Sequence, residues 1–327
     1  MSSPVRLGTI GYGIMGERLL RVARDHDPAV LVSAGAWDPS EAAMARYRRD
    51  FPDGPAFGSL DELLAASDVV HVASPPAYHL QQLEQAVSAG LAVHCEKPLG
   101  VDVAEAEAVV RRMEAAGARC AVNFPFTASF AFDQINAWRD AGDLGDLERI
   151  EIEIAFHDWP RPWQMDAADW LDRREQGGFT REVVSHFLFA TLRQVGAVNM
   201  NSCSVIYPAG EGSEVSCSAH MTANGVPVSL AGSVGTTNKP DHNLWIMHGS
   251  SGKLRLRDWA VAERLGHDGV WREAEGARPN EEMRPLILKR QLDMVATMTR
   301  GSSEHTLATL DEALAVQRLV EQILAST

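Results

Sequence analysis

Val5-Arg6-Leu7-Gly8-Thr9-Ile10-Gly11-Tyr12-Gly13-Ile14-Met15-Gly16 is the stretch on which the reading of the chain turns. Its first six residues predict a short strand, and the glycines follow without a break. Beyond Gly16, Leu19, Leu20 and Ala23 fall on one side of a helical pattern, with Glu17, Arg21 and Arg24 on the other. Strand, glycine turn and helix in that order is the context that gives G-x-G-x-x-G its meaning. Gly11 permits the tight turn, Gly13 lets a pyrophosphate approach the backbone, and Gly16 lets helix and strand pack closely. The free N–H groups of the helix start, at Ile14 and Met15, then face the anion.

A second strand over residues 30–37 ends at Asp38, 22 residues beyond Gly16. A carboxylate there accepts hydrogen bonds from the adenosine ribose and repels a 2′-phosphate, so NAD is favoured over NADP, which a nearby arginine would still admit. Asp is also a favoured N-cap, so Asp38-Pro39-Ser40 equally reads as the cap of the next helix. The run Asp68-Val69-Val70-His71-Val72-Ala73-Ser74 is a third strand, stopped by Pro75-Pro76, and Leu91-Ala92-Val93-His94-Cys95 a fourth, leading into Glu96-Lys97-Pro98. Cys120-Ala121-Val122 is the last strand of this part. Helical patterns between the strands predict a doubly wound parallel sheet, with ligands beyond the carboxyl ends of its strands. Ser74-Pro75 and Glu96-Lys97-Pro98 both fall at such ends. There the Lys97 ammonium is partly withdrawn from water, a setting suited to proton transfer, although an isolated Glu-Lys pair reads as ordinary surface charge.

With 327 residues the chain is long enough for two domains, and its 45% hydrophobic and 23% charged content is that of a globular protein. A formal charge of −14 argues against a nucleic-acid backbone binder. No apolar run approaches the ~20 residues of a membrane helix, and Met1-Ser2-Ser3-Pro4-Val5 lacks the regions of a signal peptide, so a cytoplasmic protein without membrane contact is expected. The four cysteines show no metal-ligand spacing; reduced thiols and no metal are expected.

After Val122 the period changes. Residues 147–156 (Leu-Glu-Arg-Ile-Glu-Ile-Glu-Ile-Ala-Phe) alternate charged with apolar side chains, as a strand with one buried face does. Strand-like runs follow at 201–207, 214–222, 226–233, 244–248, 253–256 and 260–265 without helices between them, which predicts an antiparallel sheet. Helices at 284–299 and 310–324 close the chain. In Gly177-Gly178-Phe179-Thr180-Arg181-Glu182-Val183-Val184-Ser185-His186, a helix from about Thr180 puts Glu182 and His186 on one face. A carboxylate beside an imidazole suits a proton shuttle; the same spacing also serves a routine helix pair. Trp159, Trp163 and Trp170 precede that loop, as sugar-stacking platforms or as packing at a domain boundary. Asn123, at the end of the last nucleotide-part strand, is a lining residue or a turn residue.

These features together resemble the Gfo/Idh/MocA oxidoreductases, named for glucose/fructose oxidoreductase and inositol dehydrogenase. The resemblance rests on Gly11-x-Gly13-x-x-Gly16, Asp38, Ser74-Pro75-Pro76-x-x-His79 and Glu96-Lys97-Pro98. It implies a nucleotide-binding Rossmann domain over 1–122, followed over 123–327 by a substrate and oligomerisation α/β domain with a large, mainly antiparallel sheet. It also implies hydride transfer between nicotinamide and a sugar, polyol or related hydroxy or carbonyl compound. Lys97 is the implied proton donor or acceptor, with a cis peptide before Pro98, and Gly11, Gly13, Ile14, Met15, Gly16, Asp38, Ser74, Pro75, His79, Glu96 and Lys97 are the implied cofactor residues. His186 matches the family histidine, Glu182 stands where aspartate is usual, and Phe179 replaces a glycine. Lys97, Asn123, Trp163, Glu182 and His186 are the expected substrate contacts, and a homodimer or homotetramer through the second sheet is implied. A nucleotide-dependent sensor without turnover, a redox-assisted lyase or glycosidase, and an imine or dihydrodiol oxidoreductase are the competing readings.

Overall fold

The computed structural model describes residues 3–326; Met1, Ser2 and Thr327, included in the two spans and the N-terminal reading above, lie outside the described residues. The chain divides into two compact units, Met1–Ala128 with Pro285–Leu314, and Ser129–Arg284 with Ala315–Thr327. The boundary drawn from sequence after residue 122 describes one crossing. The chain in fact returns to the first unit after residue 284 and leaves it again after residue 314.

The first unit is built on five parallel strands, β1 (Val5–Ile10), β2 (Leu31–Trp37), β3 (Val69–Val72), β4 (Ala92–Glu96) and β5 (Cys120–Asn123), in the order β2-β1-β3-β4-β5. The order reverses between β1 and β3, which opens a crevice at their carboxyl ends. The strands are apolar nearly throughout because helices cover both faces. Three of those helices start on side-chain caps: Ser40 before Glu41–Asp50, Ser59 before Leu60–Ala66 and Asp102 before Val103–Ala115. From Leu288 the helix Asn280–Thr299 presents Leu292, Val295 and Ala296 to a core shared with Leu7, Leu31, Val69 and Ala92. Val122 on β5 bridges to Ala308, its N–H donating to that carbonyl at 2.9 Å.

The second unit holds eight strands: β6 (Leu147–Phe156), β7 (Val198–Ile206), β8 (Ser216–Ala223), β9 (Val226–Val234), β10 (Asp241–Gly249), β11 (Lys253–Arg257), β12 (Val261–Leu265) and β13 (Trp271–Glu273). Their order is β13-β12-β11-β10-β6-β9-β8-β7, antiparallel except where β6 runs parallel to β9. One face packs on helices: Trp245 of β10 donates its indole N–H to Thr191 Oγ1 at 2.9 Å on the helix Ser185–Val195 and meets Phe132 of the helix Phe130–Asp140 edge-on at 5.4 Å. Among the described residues no helix is long and apolar enough to cross a membrane.

Candidate active site

In the first unit the expected residues gather at the carboxyl ends of β1, β2, β3, β4 and β5. Gly11 has φ +93°, and a Cβ there would lie 2.8 Å from the Ser74 backbone nitrogen. A side chain on Gly16 would drive into the Gly11 carbonyl. Those two glycines are required by the protein itself. Gly13 is different: its φ of −85° and ψ of −167° suit any residue, and a Cβ would meet nothing nearer than the Ala73 carbonyl at 4.0 Å. The open space over Gly13, at the N-terminus of the helix Ile14–Arg24, is therefore a cradle that a side chain would fill and that a pyrophosphate fits.

Asp38 braces this loop. Its Oδ2 accepts the Tyr12 N–H at 2.8 Å and its Oδ1 the Ser40 N–H at 2.8 Å, while Ser40, rather than Asp38, caps the following helix. A carboxylate has about four lone-pair positions, so acceptor capacity for ribose hydroxyls remains. Arg46 reaches the same loop, donating to the Tyr12 carbonyl at 2.6 Å.

Ser74 Oγ donates to Gln82 at 2.5 Å. His79, 1% exposed, lies with Nδ1 2.8 Å from the Pro98 carbonyl and Nε2 2.8 Å from the Ser74 carbonyl. Both ring nitrogens thus face protein carbonyls, and His79 ties the loop after β3 to the cis Lys97-Pro98 peptide without a nitrogen left for a ligand. Burial lowers its basicity.

Glu96 is 5% exposed at the end of β4. Burial alone would raise its pKa, but the neighbouring His71 at 3.4 Å, the Lys97 charge and the Asn123 amide donating at 2.6 Å hold it at about 2. His71 Nδ1 stands 3.2 Å from His94 Nδ1 on the adjacent strand, and burial followed by the His71 charge pushes His94 down to about 3. Asn123, expected as a substrate contact, is 1% exposed and holds Glu96. Lys97 itself is half-buried.

Within the second unit, the loop at Gly177 and Gly178 enters a π turn over Thr180–Val184, followed directly by the helix Ser185–Val195. Wide turns of this kind recur at functional sites. Glu214, 1% exposed, accepts the Thr180 N–H at 2.6 Å; burial pushes its carboxyl up, and Gly178, at φ +98°, leaves room for it. Phe179, fully buried, lies against Phe156 at 5.7 Å, and Gly232 opposite has no side chain to obstruct its ring. Arg181 grips Glu321 with two nitrogens at 2.7 and 2.8 Å and the carbonyls of Arg174 and Gly177 with the third. Glu182 is half-exposed and His186 is 6% exposed.

His186 sits edge-on to Trp259 at 5.3 Å. Trp259 has φ +73° and Asp258 φ +46°; such backbone costs about 1–3 kcal/mol per residue and is held only where surroundings enforce it. The enforcing contact is Asp241, whose Oδ2 accepts from Trp259 Nε1 at 3.2 Å and from Arg161 Nη1 at 2.8 Å, while Asn243 donates to its other oxygen. Trp163, 43% exposed, lies over the Arg161 guanidinium at 4.6 Å. The sequence reading named Trp163, Glu182 and His186 here but passed over Arg161, Asp241, Glu214 and Trp259. Arg161 stands between Trp159 and Trp163; the others are single residues on separate segments with no spacing signal.

A family model described as an oxidoreductase family with an NAD-binding Rossmann fold matches residues 5–124. Inositol 2-dehydrogenase of Leifsonia xyli subsp. xyli is 36% identical over 152 residues, 44% of this chain and 42% of that protein. The dTDP-3,4-didehydro-2,6-dideoxy-alpha-D-glucose 3-reductase of Actinomadura kijaniata is 26% identical over 204 residues, 60% of each. The match therefore spans less than two thirds of the length of both relatives. An oxidoreductase from Agrobacterium radiobacter, solved with NAD+, L-tartaric acid and magnesium, superposes with a TM-score of 0.82 at 17% identity, covering 98% of this chain and 96% of that one, and so shares its fold. With its glycine loop, Asp38 and Glu96-Lys97-Pro98 set at the strand ends, the nucleotide-binding unit of this chain matches, over residues 5–124, the NAD-binding Rossmann-fold model of the Gfo/Idh/MocA oxidoreductase family.

Proposed function

We propose that the protein is an NAD-dependent oxidoreductase acting on a hydroxyl or carbonyl of a sugar, polyol or related compound. The observation that carries this is Gly13, open where nothing in the protein needs a glycine, at the same strand ends as Lys97. The similar proteins named as inositol 2-dehydrogenase and sugar 3-reductase support the substrate class. Bound NAD supplies the acceptor or donor of hydride.

Gly11, Gly13 and Gly16 with the N–H groups of Ile14 and Met15 take the pyrophosphate, and Asp38 the adenosine ribose. Ser74 and Pro75 line the same end. His79 acts as a positioning residue by fixing the loops of Ser74 and Pro98. Lys97 takes the hydroxyl proton during oxidation and returns it during reduction, and its cationic form favours negative charge on the substrate oxygen. Glu96, kept anionic, holds that lysine's surroundings negative. His186, with Glu182, relays the proton, and Trp163 offers a ring face to the substrate. A cytoplasmic location, which free cysteines suit, and a homodimer or homotetramer through the eight-stranded sheet belong to the same reading.

The test is an absorbance assay of nicotinamide reduction over sugars, inositols and hydroxy acids, repeated with Lys97→Met. The variant should lose about 10²–10⁴-fold in kcat while its NAD affinity stays within a few fold. A variant keeping most of its kcat removes Lys97 from the chemistry. NAD binding without turnover of any compound would favour a sensor.

A further inference from the structure

Two arginines of the second unit keep guanidinium donors that no acceptor takes up among the described residues. Arg161 has a side chain only 9% exposed, fixed by Nε to Gln164 at 2.9 Å, by Nη1 to Asp241 at 2.8 Å and by the Trp163 ring over its face. Its Nη2 has no acceptor among the described residues. Arg284 lies near enough to feel the charges of Arg161 and Asp241, yet it has no hydrogen-bond acceptor and no carboxylate within 4 Å among the described residues. Asp241 makes no bond to it; its oxygens accept from Arg161, Trp259 and Asn243. Burial first, then repulsion from Arg161, weakens the hold of Arg284 on its proton.

Two partly or wholly buried cations that feel one another's charge and keep unused donors are costly unless an anion joins them. We propose that Arg161 and Arg284 form an oxyanion subsite that receives the carboxylate of the substrate, making that substrate a sugar acid or comparable polyhydroxy acid. The inference rests on the oxidoreductase reading and names its substrate class. Two guanidiniums against Asp241 leave one net positive charge, which matches a carboxylate better than a phosphate dianion; the charges of Glu182 and Glu281, felt at Arg161 and Arg284, come from half-exposed and exposed side chains and are screened. Planar, forked donors suit a carboxylate as well. The subsite adjoins His186 within the same unit, through Asp241 to Trp259 at 3.2 Å and Trp259 to the imidazole at 5.3 Å.

The experiment measures initial rates with NAD on matched pairs: D-galacturonate with D-galactose, D-gluconate with D-glucitol, and D-glucose 6-phosphate with D-glucose. Thermal shifts with each compound supply a readout independent of turnover. The wild-type protein should prefer the carboxylates, and Arg284→Met should lower the acid-to-neutral ratio of kcat/KM about 10- to 100-fold, with Arg284→Lys recovering part of it. Lysine keeps the charge and guards against a folding artefact. If the neutral member of each pair is preferred and Arg284→Met leaves the ratio unmoved, the subsite is overturned and the oxidoreductase reading stands. A preference for glucose 6-phosphate overturns the carboxylate assignment. If nothing turns over while gluconate or galacturonate raises the melting temperature only with Arg284 intact, the subsite is supported and the redox reading falls.

Discussion

Replacing Arg181 by methionine should weaken the second unit far more than replacing its neighbour Arg173. The Arg181 side chain is 6% exposed, and its three nitrogens make two bonds to Glu321 and two to loop carbonyls. Removing one member of a buried pair costs about 3–5 kcal/mol, because the partner charge is left without compensation. Glu321 is 22% exposed and can take up water, which puts the expected loss near the lower end, at about 3 kcal/mol. Arg173 pairs with Glu211 at 3.4 Å with side chains 51% and 90% exposed, so Arg173→Met should change stability by less than about 0.5 kcal/mol. Seven of the eight tryptophans, all except Trp37, lie in the second unit, so tryptophan fluorescence during urea unfolding reports chiefly on it. Because Arg181 also holds the Gly177 carbonyl, Arg181→Met should lower kcat along with the urea midpoint. A loss below about 1 kcal/mol, or equal shifts for the two variants, would refute the view that this arginine fastens the glycine loop to the C-terminal helix.

Gly13→Val should leave the melting temperature almost unchanged and weaken NAD binding at least about tenfold by fluorescence titration, since its side chain would occupy only the open cradle. Gly16→Ala should instead cost about 1–3 kcal/mol of stability, because its Cβ meets the Gly11 carbonyl; a Gly13→Val protein with normal NAD affinity would defeat the cradle assignment. Stability should also decline on acidification in two overlapping stages. His94, held at about 3 against an ordinary 6.5, stays neutral in the fold while the unfolded chain takes up a proton, so stability falls as pH drops from 6.5 toward 3. Glu96, held at about 2 against 4.5, contributes stability that is complete above pH 4.5 and is lost between 4.5 and 2. Melting temperatures of His94→Leu across pH 7 to 3 should show a shallower decline than the wild type; an unchanged slope would remove His94 as its source.

The first unit was legible because each buried strand is a short apolar run closed by glycine, proline or a cap residue, and those signals are local. Even so, Asp38 offered two readings, ribose acceptor or helix cap, and the fold gives it a third task, bonding the N–H groups of Tyr12 and Ser40. In the second unit the alternation over 147–156 marked β6, but nothing in it announced that the strand runs parallel to β9, whose paired residues lie 78 positions later. β13 escaped notice because three residues cannot display a period. The helix expected from Thr180 is a π turn there, imposed by Glu214 bonding its first N–H from 34 positions away. Arg161, Asp241 and Trp259 meet from three segments of the chain and Arg284 comes from a fourth, and a single charged or aromatic residue on each carries no pattern that sequence spacing could reveal.

The interleaved course of the two units bears on how the protein is made. The first unit's core includes Leu288, Leu292, Val295 and Ala296, and β5 is bridged by Ala308, so its nucleotide-binding sheet remains incomplete until residues 285–314 have left the ribosome. At about 5–20 residues per second, the apolar ends of β1, β3 and β4 wait some ten seconds or more for the helix that covers them. The second unit, whose residues 129–284 are synthesised in between, has that interval in which to pair β6 with β9. A fragment ending after β5 would expose the surface that this helix buries, and would draw chaperones or aggregate where the whole chain does not.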